Sequence, residues 1–337
     1  MNKSCLIGFL MCSAFSLVVQ AATDGAHITK TISQIERKKG IKRTIQYRPD
    51  GNDFVCVNGK NRYTRALYGG ITDFRIETSD RPVFATYKPK DSKHICFRLQ
   101  CGNQSIALDS LKFCEARYRA GRRTYRLTDP LLGKGELNIS VLAFPDVEGG
   151  IWRFTMKDMP EGALLHCYIS EIRAKNLSRN GDMGADRADS FDAPQLPKEQ
   201  KHYKLSLDGT TAYIVVEDQE LRLPALVEGT SLYDKSEKWR SEIESSLQIS
   251  TPDPYFNPLG GALAAAADGI WDGKIWLHGA IGWRSQLNGW RAAYIGDFIG
   301  WHDRARTHFD SYAASQVTDV PATIPHPTQD TALHLAR

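Results

Sequence analysis

The chain has 337 residues, 42% of them hydrophobic and 24% charged, with a formal net charge of +4 at pH 7. That length exceeds the usual single-domain size, so two or more domains are expected. The composition is that of a folded globular protein, and so small a charge does not point to nucleic acid as a partner.

The chain opens with Lys3, an apolar run over residues 5–19 (CLIGFLMCSAFSLVV), and small residues at Val19 and Ala21 flanking Gln20. This pattern predicts a secretory signal peptide over 1–21 and export to the periplasm or beyond. The run is short for a spanning helix and no later segment is long enough, so no transmembrane segment is expected. Met11 ahead of Cys12 weakens a lipoprotein reading. Residues 22–43 are polar and basic and predict an exposed lead-in.

From 44 to 234 the sequence predicts a β-sandwich domain. Short β-rich runs alternate with turn residues: 71–77, 82–87, 94–100, 104–108, 112–119, 122–128, 136–144, 150–157, 164–172, 202–207 and 210–217. Pro49-Asp50-Gly51, Asn58-Gly59 and Asp208-Gly209 are hairpin signals, because their central positions tolerate positive φ. So many short strands without helical periods predict two antiparallel sheets. Residues 174–201 are polar, rich in Asp, Gly and Pro, and predict a long loop.

Five cysteines follow the leader: Cys56, Cys96, Cys101, Cys114 and Cys167. An odd number leaves at least one unpaired. Cys96 and Cys101 can pair across a tight turn; small apolar core residues in strands are the other use. No zinc-type spacing occurs, so no metal is expected. The basic hairpin at Gly121 (Arg117, Arg119, Arg122, Arg123, Arg126) offers either a surface for a carboxylated ligand or partners for salt bridges.

Composition then shifts. Trp239, Ile243 and Leu247 make a helical stripe, predicting a helical linker over 235–256. Asn257-Pro258 reads as a helix start for the Ala-rich segment to 268, and 303–317 predicts another helix. Thr328 begins a further periodic segment within 325–337. Because two or three helices cannot close a helical domain, the chain is expected to be the N-terminal portion of a longer architecture.

Residues 268–304 concentrate five of the seven tryptophans among arginines, histidines, aspartates and glycines. Indole faces stack on the apolar faces of sugar rings while charged groups take hydroxyls, so the stretch predicts a site for a hydroxyl-rich ligand. The alternative is a tryptophan-rich buried layer with its charges paired at the rim. The candidate binding residues are Trp276, His278, Trp283, Arg284, Trp290, Arg291, Trp301 and His302. Glycoside hydrolysis requires two carboxyl groups; Asp272, in a Trp-Asp-Gly turn, and Asp297, in a loop-prone Gly-Asp, are the candidates. Asp268 and Asp303 sit at expected helix ends, where capping is their simpler use. No dinucleotide fingerprint, phosphate-binding loop, metalloprotease motif or nucleophile elbow occurs, so no cofactor is expected.

A sandwich, a helical linker and an Ala-rich helix leading to WDGKIWLHGAIGWRSQLNGWRAAYIGDFIGWHDRARTHF resemble the six-hairpin glycosidase superfamily, in particular its exported Bacteroidetes-type members. The resemblance is specific over about 250–325 and architectural over 44–217. It implies that 257–337 begins an (α/α)6 toroid, incomplete here. It also implies carbohydrate as partner, and Trp283-Arg284, Trp290-Arg291, Asp297 and Trp301-His302 on loops that bind sugar. The general acid is then expected on a later hairpin, so the chain alone is expected to lack activity. The function expected is acid/base hydrolysis of a glycosidic bond in a poly- or oligosaccharide, with a non-catalytic exported carbohydrate-binding or scaffold protein as the alternative. Sugar, linkage and oligomeric state are not legible.

Overall fold

The computed structural model describes residues 46–88, 91–171, 202–277 and 289–314. The expected leader (1–21), lead-in (22–43), long loop (174–201) and segment 325–337 lie outside the described residues.

Among these, fifteen strands form two sheets in which every pairing is antiparallel. They are β1 (Arg48–Asp50), β2 (Asp53–Val57), β3 (Arg65–Tyr68), β4 (Arg75–Thr78), β5 (Phe84–Lys88), β6 (Asp91–Cys101), β7 (Gln104–Ala107) and β8 (Phe113–Arg119). There follow β9 (Arg122–Thr128), β10 (Glu136–Ala143), β11 (Gly149–Lys157), β12 (Leu164–Glu171), β13 (His202–Ser206), β14 (Thr211–Glu217) and β15 (Glu220–Arg222). Sheet A runs β1-β2-β8-β9-β10-β11-β14-β15; sheet B runs β13-β12-β6-β5-β4-β3, with β7 paired to β6. The expected sandwich-like pair of antiparallel sheets is present, and the strands lie close to where alternation put them.

The alternation fixes which side chains face the core, because a strand's side chains point to opposite faces in turn. In β8, Cys114, Ala116 and Tyr118 are buried between their outward neighbours; in β9, Arg123, Tyr125 and Leu127 are. Phe84 sits at the centre, its ring meeting Phe97, Tyr125 and Trp152 edge-on at 5.6, 5.6 and 5.8 Å. Such edge-to-face pairs add roughly 0.5–1.5 kcal/mol each to the burial itself. All five cysteines are free, and burial pushes the Cys96 and Cys114 thiols up to about 12.

Two expected hairpin turns serve another purpose. Pro49-Asp50-Gly51 does join the β1–β2 hairpin, but Asn58-Gly59 and Asp208-Gly209 carry the chain from one sheet to the other. Of these four residues only Asn58 takes positive φ, 50°; turn residues mark a bend, while the core chooses the partner.

Four helices are described: α1 (Leu226–Ser245), α2 (Leu259–Gly269), α3 (Gly289–Phe298) and α4 (His302–Ala314). The helix expected from 235 begins nine residues earlier, at Leu226. Its buried stripe is Gly229, Tyr233, Ser236 and Arg240, in which Tyr233 is the one aromatic, so its first turns carry no apolar period to detect. This stripe lies on the outer face of sheet A. A Cβ on Gly229 would stand 2.3 Å from the Tyr213 ring, Tyr233 hydrogen-bonds Ser140 at 2.7 Å, and Arg153 lies 3.9 Å over the Tyr233 ring. α3 is a correction: it places Trp290, Arg291 and Asp297 on a helix where loops were expected, because Gly289 and Gly296 obscured its period.

Candidate functional site: the crevice between sandwich and helices

The β8–β9 hairpin turns on Ala120 and Gly121, both at positive φ, 38° and 88°. Positive φ at both central positions matches the twist of a two-residue hairpin. The tip is clamped onto α1 by its arginines. Arg119 Nε donates to Glu244 at 2.7 Å, Arg122 Nη1 to Glu237 at 2.8 Å, and Arg240 bridges both glutamates at 2.7 Å. Burial works against Glu244's ionisation, but the hydrogen bonds from Arg119 and Arg240 prevail and hold its pKa below the usual carboxylate range. Arg117 and Arg126 pair instead with Glu115 on the sheet itself. Of the two uses expected for the basic hairpin, salt bridging is the one these four arginines show.

α2 approaches the same tip. A Cβ on Gly261 would come within 3.1 Å of Ala120 and 2.8 Å of Glu244, and one on Gly260 within 2.7 Å of the Leu247 carbonyl oxygen. The Gly260-Gly261 pair is therefore what admits the first turn of α2.

Two cavities flank the tip, and Ala120 lines both. One, of about 260 Å³, lies between β3, α1 and α2; its walls carry the rings of Tyr68, Tyr118 and Trp239 together with Arg65, Arg240 and Asp268. The other, of about 340 Å³, is polar, with Asn52, Arg119, Ser241, Glu244, Gln248 and Asn257 among its lining. Aromatic faces with Arg65, Arg240 and Asp268 thus stand on one side of the hairpin, and hydroxyl, amide and further charged groups on the other. Asp268 is buried, and burial raises its carboxyl pKa against the opposing effect of Arg304, whose Nη1 lies 2.7 Å away. A buried acid lining a cavity is the kind of group that perturbed titration marks as functional.

The tryptophan-rich stretch is organised differently from a binding site. Trp276 has 0% exposure. Its Nε1 donates to the Ala267 carbonyl at 3.1 Å and its backbone N–H to His308 Nδ1 at 3.0 Å. A Cβ on Gly296 would lie 2.0 Å from its Cη2. Trp276 is a packing residue, which corrects its expected role in binding sugar. Trp301 is half-buried, donates to Ser246 Oγ at 3.2 Å, and stacks under Arg304 at 4.4 Å. Trp271 pairs with Trp276 across a tight turn. For these three indoles the tryptophan-rich layer with a paired rim describes the geometry.

The expected carboxylates are also accounted for. Asp272 lies in its turn as expected, but its Oδ1 accepts the N–H groups of Lys274 and Ile275 at 2.9 and 2.7 Å, which holds the turn. Asp297 accepts from or pairs with His302 Nδ1 at 2.9 Å, with both side chains about 70% exposed. The structure brings Asp297 and His302 together at the α3–α4 corner, and Tyr294 and Phe298 on α3 are exposed. Neither Asp272 nor Asp297 lines the two cavities. Trp290 and Arg291 fall on α3, and His278, Trp283 and Arg284 lie outside the described residues. Sequence reading missed Tyr68, Tyr118, Trp239 and Asp268 as a set, since they lie on β3, β8, α1 and α2. Only the single tryptophan in an otherwise charged helix hinted at one of them.

The fold and crevice define a β-sandwich with a docked helical segment. A family model described as a domain of unknown function, DUF4450, matches residues 89–216, less than half of the chain. The match spans β6 into β14 and ends before α1 and the helical wall of the crevice. No curated protein matches the chain.

Proposed function

We propose that this is a glycoside-hydrolase-like protein, exported by its leader, that holds a poly- or oligosaccharide in the crevice between the sandwich and the helices. In this reading the helices are the first of a toroid of the (α/α)6 type. The supporting observation is the crevice: Tyr68, Tyr118 and Trp239 on one side of the hairpin tip, with Ser241, Asn257 and Gln248 on the other. Sugars present apolar ring faces and hydroxyl edges together, and such a mixed wall complements both. Junctions between structural units are a preferred place for ligand sites. For acid/base hydrolysis one carboxyl group must stay protonated while another is ionised. Asp268 is the crevice carboxyl whose protonated form burial favours.

A second reading, a non-catalytic carbohydrate-binding protein, draws support from Asp272 and Asp297, which are engaged in a turn and a surface pair away from the cavities.

Calorimetric titration with a panel of neutral oligosaccharides tests the carbohydrate assignment. Trp239→Ala is expected to weaken binding about tenfold or more, consistent with one lost stacking contact, while moving the melting temperature little. Undiminished affinity in this variant would remove the crevice as the site. Release of reducing ends by the wild type, lost in Asp268→Asn, would select the hydrolase over the binding protein.

A further inference from the structure

On β6, Ile95, Phe97 and Leu99 face the core, so His94, Cys96, Arg98 and Gln100 face outward. The register of sheet B then sets three basic side chains abreast: Arg98 on β6 opposite His166 on β12, and His166 opposite Lys204 on β13. With strands spaced about 4.8 Å apart, the row is roughly 10 Å long. His202 joins it diagonally, its ring 5.9 Å from that of His166.

Among the described residues nothing acidic answers this row. Arg98 donates to Ser105, from Nε to Oγ at 3.3 Å and from Nη2 to the carbonyl at 3.2 Å. Among the described residues no carboxylate pairs with Arg98, His166, His202 or Lys204. Sheet A behaves oppositely: its outward Arg117, Arg119, Arg122 and Arg126 each meet a glutamate. His166 supplies an independent observation. It is only 8% exposed, its Nε2 is 2.7 Å from Gln100 Oε1, and its buried Nδ1 has no hydrogen-bond partner.

Two cations flanking one imidazole without a counter-charge disfavour its protonation, and a buried polar atom left unpaired adds a further penalty. An external oxyanion relieves both at once, by neutralising Arg98 and Lys204 and by favouring the doubly protonated imidazole, whose Nδ1–H then has a role. We propose that this row is a binding surface for the carboxylate or sulfate groups of an acidic polysaccharide. Exposed Ser105 and Ser206 and half-buried Gln100 border it and offer hydroxyl and amide partners for the rest of a sugar. The patch is short, and the chain's net charge is only +4, which fits single acidic groups on a glycan better than a nucleic acid or an anionic membrane. The site is separate from the crevice: β5 and β4 lie between β6 and the β3 strand that forms the crevice wall.

Titration of the full chain with three oligosaccharides of equal length tests this: an oligogalacturonate, a sulfated oligosaccharide and a neutral one. Vesicles of anionic phospholipid and duplex DNA serve as further arms. One or both acidic oligosaccharides are expected to bind at least tenfold more tightly than the neutral one, and whichever binds better identifies carboxylate or sulfate as the group taken. The Arg98→Gln/Lys204→Gln double variant is expected to lose that advantage, whereas Trp239→Ala in the crevice keeps it. Burial, followed by Lys204, His202 and Arg98, lowers the His166 pKa in the free protein. Arg98 faces it from β6, and Lys204 and His202 from β13. Bound oxyanion is expected to raise that pKa in a wild-type NMR titration, a readout independent of whether the variant folds, and binding tightens as pH falls through it. Equal affinity for acidic and neutral oligosaccharides, an indifferent double variant, or an unmoved His166 titration would each overturn the assignment. So would equally tight binding of DNA or vesicles through the same residues. Loss of crevice binding alone would leave it standing, because the two sites are read by different variants.

Discussion

Gly296 shows how far a single residue depends on its neighbour. It lies inside α3, where alanine is favoured over glycine by about 1 kcal/mol on backbone grounds alone. The Trp276 indole occupies the place where a methyl group would sit, with Cη2 2.0 Å from the Cβ position. Packing and propensity therefore predict opposite signs for Gly296→Ala. Overpacking typically costs about 1–3 kcal/mol, which exceeds the gain in propensity, so the variant is expected to unfold at lower denaturant. A stabilised variant would show that the α3–Trp276 contact is looser than its geometry. The same contact explains why sequence reading misplaced Trp276: an indole among charges has the same signature in a sugar site as in a packed layer, and only the residue opposite distinguishes them.

At the scale of elements, the contact between the β8–β9 hairpin and α1 decides the position of the crevice. Its hydrogen-bonded pairs across the contact are Arg119 with Glu244 and Arg122 with Glu237, and Arg240, within α1, holds both glutamates. Glu244 is largely buried, so Glu244→Gln is expected to cost about 1–3 kcal/mol at neutral pH, the range for breaking charged hydrogen bonds. Its folded pKa is depressed below the ordinary 4.5. The ion pair's contribution is therefore present above that value and is lost as pH falls through the lower, folded one. Melting temperatures of wild type and variant are expected to converge as the pH drops below about 4.5; a gap that persists in acid would assign the loss to shape and not to charge. Arginine content alone signalled a basic hairpin, while its partners, more than a hundred residues away on α1, were set by docking.

For the whole molecule, α1 spans the outer face of sheet A, touching β10, β11 and β14, and α2 touches β3 of sheet B. Tyr233 joins the cluster of Leu142, Phe144, Ile151, Tyr213 and Val215 on that face. Helices tied to both sheets cannot leave without exposing apolar surface on the sandwich. The sandwich, α1 and α2 are accordingly expected to unfold in one calorimetric transition, with equal calorimetric and van't Hoff enthalpies for that unit. A separate, lower transition matching loss of helical signal would show that the helices are only loosely attached. None of the described helices is long and apolar enough to cross a membrane.

The sequence by itself determined the strands, the two antiparallel sheets and the Ala-rich α2, because alternation, turn residues and helix propensity act over a few neighbours and leave local signatures. It also located Asp272 in its turn. It did not reveal the start of α1, whose buried stripe sets one tyrosine among small and polar residues, or α3, where Gly296 makes room for an indole. Only the tertiary structure decided how the reactive and aromatic groups are used. Four elements assemble the crevice, and the register of three strands lines up Arg98, His166 and Lys204. The physical reason is range: a local pattern fixes which way a side chain faces, but what it meets there is chosen by chain segments far away in sequence.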